Sequence, residues 1–166
     1  MKKQQGFNLL EVLVAALLLS LGLLGMAGMQ ASSMKVTHNS YQMQQASQLA
    51  AELLERMRAN KSAVVAGAYQ VDASAATYCG NALANSCQTA ACTHLQMATD
   101  DLFRVMCGYG SGGGVRGLLL NGRLVVTCPG GDCQQGVQLG LQWNERNADR
   151  TGDSVAPFNL ILNAVL

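Results

Sequence analysis

The hydrophobic and polar positions of this chain follow three successive rhythms. From Phe7 to Met29 almost every residue is apolar or small; Asn8, Glu11 and Ser20 are the interruptions, and no proline occurs. Wound as a helix at ~1.5 Å per residue, this run spans ~35 Å, enough to cross a ~30 Å hydrocarbon layer. The pattern then turns amphipathic. Met43, Ala46, Ala50, Leu53, Leu54 and Met57 recur at i, i+3, i+4 and i+7 intervals and predict one apolar stripe. Glu52 and Arg56 stand four residues apart in the stabilising order, and the pattern stops at Asn60. One helix is therefore predicted over residues 7–60, bare over 7–29 and packed on its own domain afterwards.

The third rhythm belongs to residues 61–166, which are expected to form a globular domain. Residues 61–90 are rich in Ala, Ser, Asn and Thr without periodicity and read as a connecting segment. Thr93 to Met106 reads as a second helix with Leu95, Leu102, Val105 and Met106 inward. The glycine-rich stretch GYGSGGGVRG at 108–117 lacks the Lys of a phosphate loop and is expected to be a flexible turn leading into a sheet. Three strand patterns follow: Arg123–Cys128; then Val137, Leu139, Leu141 and Trp143 alternating with polar residues or glycine; then Phe158, Leu160 and Leu162. These elements predict an α+β fold, an antiparallel sheet of about three or four strands packed on the long helix.

Composition narrows the chemistry. The 166 residues carry a formal net charge of +1, no lysine follows Lys61, and aromatics are 5%, which argues against nucleic acid as a partner. His38 and His94 lie in separate regions without a Ser/His/Asp or Cys/His motif, so no catalytic residue is assigned and an enzyme is not expected. Asp100 and Asp101 lack the oxygen-rich loop of a calcium site and are expected to cap a helix or face solvent. All six cysteines, Cys79, Cys87, Cys92, Cys107, Cys128 and Cys133, fall after the apolar run. An even number with no C-x-x-C pair points to disulfides in an oxidising compartment, with no metal or other cofactor. The Cys128-Pro-Gly-Gly-Asp-Cys133 turn makes Cys128–Cys133 the best single pair; the other four allow three pairings.

Lys2 and Lys3 in a short polar leader keep the N-terminus cytoplasmic and place the domain on the outer side, in agreement with the cysteines. A secretory signal peptide fits less well, because the apolar run is too long and no clean cleavage site follows it. A plain anchor gives no reason for Glu11, which costs about 3 kcal/mol in a bilayer when unpaired. Gly22, Gly25 and Gly28 would let helices approach closely, although glycine is also common in membrane helices generally.

Gly6-Phe7-Asn8-Leu9-Leu10-Glu11-Val12-Leu13-Val14-Ala15 resembles the N-terminal signature of type IV prepilins and of the related type II secretion pseudopilins. The resemblance implies a pilin-like fold and cleavage by prepilin peptidase between Gly6 and Phe7. Residues 1–6 would then be the removed leader, and Phe7 would carry a methylated amine. It also implies that Glu11 pairs with the N-terminal amine of a neighbouring subunit, each charge compensating the other in the apolar layer. The helix ending Glu55-Arg56-Met57-Arg58-Ala59-Asn60 and the stretch LSLGLLGMAGMQ resemble the PilV family of minor pilins. That resemblance implies a minor pilin that helps initiate pilus assembly. Its partners would be other minor and major pilins, the peptidase and the inner-membrane assembly platform. The chain would sit in the inner membrane before assembly and in a surface pilus afterwards. A type II minor pseudopilin and an adhesin or DNA-uptake subunit are the alternatives; the last would need Arg104, Arg116 and Arg123 to converge.

Overall fold

The structure, a computed structural model, describes residues 9–83, 86–88, 90–110, 112–144 and 157–165. Residues 1–8, with the expected cleavage site between Gly6 and Phe7, lie outside the described residues. Two units divide the chain, Met1–Asn39 and Ser40–Leu166.

In the first unit the described residues are all helical, the opening part of α1 (Leu9–Ala59). No proline interrupts this helix, whose most apolar window has a mean hydropathy of 2.4, so it is long and apolar enough to cross a membrane. Gly22, Gly25 and Gly28 sit inside it without ending it. In water each glycine would cost the helix ~1 kcal/mol relative to alanine.

The second unit begins with the rest of α1, followed by α2 (Lys61–Val65), β1 (Val71–Ser74) and α3 (Ala75–Tyr78). Next come α4 (His94–Cys107), α5 (Gly114–Leu118), β2 (Arg123–Thr127), β3 (Val137–Asn144) and β4 (Pro157–Ala164). The strands form one antiparallel sheet in the order β1-β2-β3-β4. The alternation read along β3 is realised: Val137, Leu139, Leu141 and Trp143 are all buried. They join Ala46, Leu49, Ala50, Leu53 and Met57 of α1 in a single hydrophobic cluster with Leu102, Val105 and Met106 of α4. A long N-terminal helix packed on a small disulfide-bearing antiparallel sheet is thus the fold of this chain.

Several expectations are corrected. The α1 stripe is rotated from the one read in sequence: Met43 is exposed and Leu54 half-buried, while Leu49 and Gln42 are buried. The physical reason is the sheet, which selects the face through Gln42, Ala46, Leu49, Leu53 and Met57. Gln42 accepts a cost for this, since its Oε1 is buried without a hydrogen-bond partner. Leu95 on α4 is exposed rather than inward, and Ala98 and Asp101 take the buried positions. Residues 61–90 are no mere connection, because β1 forms a sheet edge whose short, half-buried pattern only pairing reveals. The glycine-rich stretch contains α5 and a tight backbone approach instead of a flexible turn. Gly108 (φ 72°) ends α4 with its Cα face against the Gly113 backbone, where a Cβ could not fit. Gly114 (φ 65°) lies as closely against Gly108 and Val105.

Three disulfides staple the domain: Cys79–Cys107, Cys87–Cys92 and Cys128–Cys133, with Cα–Cα separations of 5.5, 5.6 and 4.7 Å. The first ties the end of α3 to the end of α4, and the third closes the connection between β2 and β3.

The rotated stripe is testable by comparing two truncations in the full chain in detergent. Leu53→Ala, at 0% exposure, is expected to lower unfolding stability by ~2–5 kcal/mol, and Met43→Ala by under ~1 kcal/mol. Equal losses would restore the stripe read from the sequence.

Candidate functional site: a bare helix and its anchor

The N-terminal part of α1 presents an apolar surface without cover. Leu9, Leu10, Leu13, Leu17, Leu18, Leu21 and Leu24 are all well exposed, and nothing lies within 4 Å of a Cβ built on Gly22, Gly25 or Gly28. Ser20 and Thr37 satisfy their hydroxyls within the helix, on the carbonyls of Leu17 (2.8 Å) and Ser33 (2.9 Å). Glu11 lies in the first turn, exposed, and is the one ionisable side chain between Phe7 and Met34. An exposed apolar surface on this scale marks a lipid or protein contact. Helices whose glycines line up can meet backbone to backbone in such a setting.

At its other end α1 is held by a buried polar cluster. Asp101 on α4 accepts from Arg56 Nη1 of α1 at 2.9 Å through one carboxylate oxygen and from the Tyr69 hydroxyl at 2.6 Å through the other. Arg56 also donates to Glu52 one turn back, at 2.7 Å. Asn60, just past the helix, gives its side-chain amide to the His94 carbonyl (2.8 Å) and the Tyr69 hydroxyl (3.3 Å). Burial pulls the Arg56 guanidinium down, but its bonds to Glu52 and Asp101 outweigh that and leave it raised. Burial first, and then the bond to Asp101, pushes the Tyr69 hydroxyl above its ordinary range.

Asp100 makes a second buried pair. It accepts from Arg104 at 3.0 Å one turn along α4 and from the Cys87 backbone N–H at 3.3 Å. Chiefly through its hydrogen bond to Asp100, Arg104 is raised, and its guanidinium lies 4.9 Å from the centre of the Tyr109 ring. The two aspartates are therefore buried acceptors for arginines, not capping or solvated groups. Of the arginines considered for convergence, Arg104 is engaged by Asp100 and Arg123 by Asp72 (2.8 Å).

The sequence motif at the end of α1 carried more than was read from it. Arg56 and Asn60 make the anchor, but Asp101 and Tyr69 were missed as their partners. A buried carboxylate on an amphipathic helix opposite an Arg-x-x-x-Asn ending would have been the signal.

Comparison with known families agrees with this layout. Residues 1–27 match the prokaryotic N-terminal methylation motif. Residues 28–103 match the family described as type IV pilin Tt1218. No curated protein and no solved structure matches the chain. The two matches adjoin and together run from residue 1 through most of α1 and its anchor into α4.

The anchor predicts an alkaline response. Folding raises the Tyr69 pKa above its ordinary 10.0, so its contribution is complete below that pH and declines as pH rises further. Tyr69→Phe should flatten the loss of stability above pH ~10 in a denaturation series. Asp101→Asn, which leaves Arg56 short of an anion, should cost ~3 kcal/mol at pH 7. A neutral outcome for Asp101→Asn would remove the anchor from the account.

Proposed function

We propose that this prepilin of the type IV pilin kind is a minor pilin that enters a type IV pilus and assists the start of its assembly. The observation that carries the reading is the bare apolar stretch of α1 with Glu11 as its one charge. In this reading prepilin peptidase cuts between Gly6 and Phe7 and methylates the new Phe7 amine. The amine and the Glu11 carboxylate are each expensive alone in an apolar layer, and pairing them across subunits offsets both costs. Subunit docking then carries a driving force and an axial register together. Methylation keeps the amine protonatable, so the pair survives it.

The remaining parts fit a structural role. The type IV pilin family is structural rather than enzymatic. Its partners here would be other pilins along the exposed leucine surface, with the peptidase and the assembly platform acting before assembly. The prepilin motif and the apolar helix support membrane anchoring first and pilus incorporation later. The PilV-like ending of α1 supports the minor-pilin assignment, because it forms the anchor that holds the domain to the assembling helix.

Intact-mass measurement of the chain from sheared surface filaments tests this directly. The expected species begins at N-methyl-Phe7 and gains six hydrogens on reduction, two for each disulfide. Glu11→Ala should be processed normally yet be lost from filaments by tenfold or more, the scale of one unpaired charge. A processed chain confined to the cell envelope would favour the pseudopilin, and an uncut leader would end the prepilin reading.

A further inference from the structure

The two edges of the sheet are built differently. β1 has four residues, carries Asp72 paired to Arg123 of β2, and runs straight into α3. β4 has eight residues, pairs with β3 in unbroken register from Pro157 to Ala164, and contains no charged residue. Its one proline stands at the first position. Exposed edges are ordinarily blunted by shortness, charge, an internal proline or a bulge. Beyond its entry residue, β4 uses none of these, and β3 is its one strand neighbour among the described residues.

The inward side of β4 is also unfinished. Trp143, Leu141 and Leu139 of β3 are 1%, 0% and 0% exposed, while their register partners Phe158, Leu160 and Leu162 stay exposed or half-exposed. On the outer side Ile161 is 60% exposed. The neighbouring stretch 145–156 is a poor occupant by composition. It holds Glu145, Arg146, Asp149, Arg150 and Asp153, with Val155 as its one large apolar residue.

Residues 159–163 read Asn-Leu-Ile-Leu-Asn in both directions. We propose that the occupant of this edge is a second copy of the chain, docked antiparallel with β4 against β4 and centred on Ile161. In that register like meets like. Leu160 faces Leu162 of the second copy, which extends the apolar row under the sheet. Asn159 faces Asn163 of the second copy, and this continues the amide ladder that Gln138 begins by donating to Asn163 at 3.1 Å. Ile161 meets its own symmetry mate. The contact is isologous and closed, so it pairs chains without propagating. Its twofold axis is normal to the sheet and reverses the direction of any segment lying along the sheet. This inference does not rest on the filament reading.

Single-cysteine crosslinking of the full chain in detergent tests both the contact and its register. With a short bismaleimide, Ile161→Cys should give a covalent homodimer. Asn159→Cys should not, because its symmetry mate lies about 13 Å along the paired strands. The double variant Asn159→Cys/Asn163→Cys should crosslink again. Ile161→Lys places like charges opposite each other and should reduce the dimer fraction at least tenfold in sedimentation. Since Ile161 is exposed, these variants leave the core intact. An Ile161→Cys chain that remains monomeric, that crosslinks no better than Asn159→Cys, or that joins a different protein instead of itself would overturn the proposal.

Discussion

Asp101 is the acceptor at which three parts of the chain meet. One oxygen holds Arg56 at the end of α1, and the other holds Tyr69 in the segment that leads to β1. The carboxylate itself comes from α4, whose Leu102 and Val105 lie in the same core as Leu53 and Met57. A buried charge of this kind adds little net stability over an apolar replacement, but leaving one partner alone is costly. It therefore discriminates against any arrangement in which α1 slides or turns relative to α4. Asn60 holds the carbonyl of His94 at the start of α4 and the disulfide Cys79–Cys107 fixes its last residue, so this helix is constrained at both ends.

That constraint matters because α1 serves two environments in one continuous secondary-structure element. The large apolar side chains of its first part are exposed, and its second part shares a core with the sheet. In the proposed role, whatever force reaches the bare part is delivered to the domain through the last turns of α1. A stripe of small and medium side chains, Ala46, Leu49, Ala50, Leu53 and Met57, supplies the area of that junction. Arg56 and Asn60 supply its direction, since hydrogen bonds, unlike apolar contacts, are lost over small displacements.

The sheet distributes its risks unevenly. On the β1 side a short strand, an ion pair and a following helix leave little backbone to recruit another strand. On the β4 side a long uncharged strand leaves both backbone and leucine side chains to be covered. A monomeric domain gains nothing from such an edge, whereas a subunit that meets its own kind does.

What the sequence by itself determined is whatever depends on local rhythm or on a fixed motif. The apolar run with Glu11 inside it, the alternation from Val137 to Trp143 and the Cys-Pro-Gly-Gly-Asp-Cys turn each state their meaning within a few residues, because backbone period and turn closure are local properties. The motif at residues 6–15 belongs to the same class. Tertiary structure decided which face of α1 is buried, for Leu49 and Met43 both fit an amphipathic pattern and only the position of the sheet separates them. It also decided that residues 71–74 are a strand, since four half-buried residues acquire that identity by pairing with β2. The fate of Asp101 was settled the same way, whereas the cation of Asp100, Arg104, stands one turn along the same helix. A carboxylate's role depends on which cation comes near it, and Arg56 lies 45 residues away in the chain.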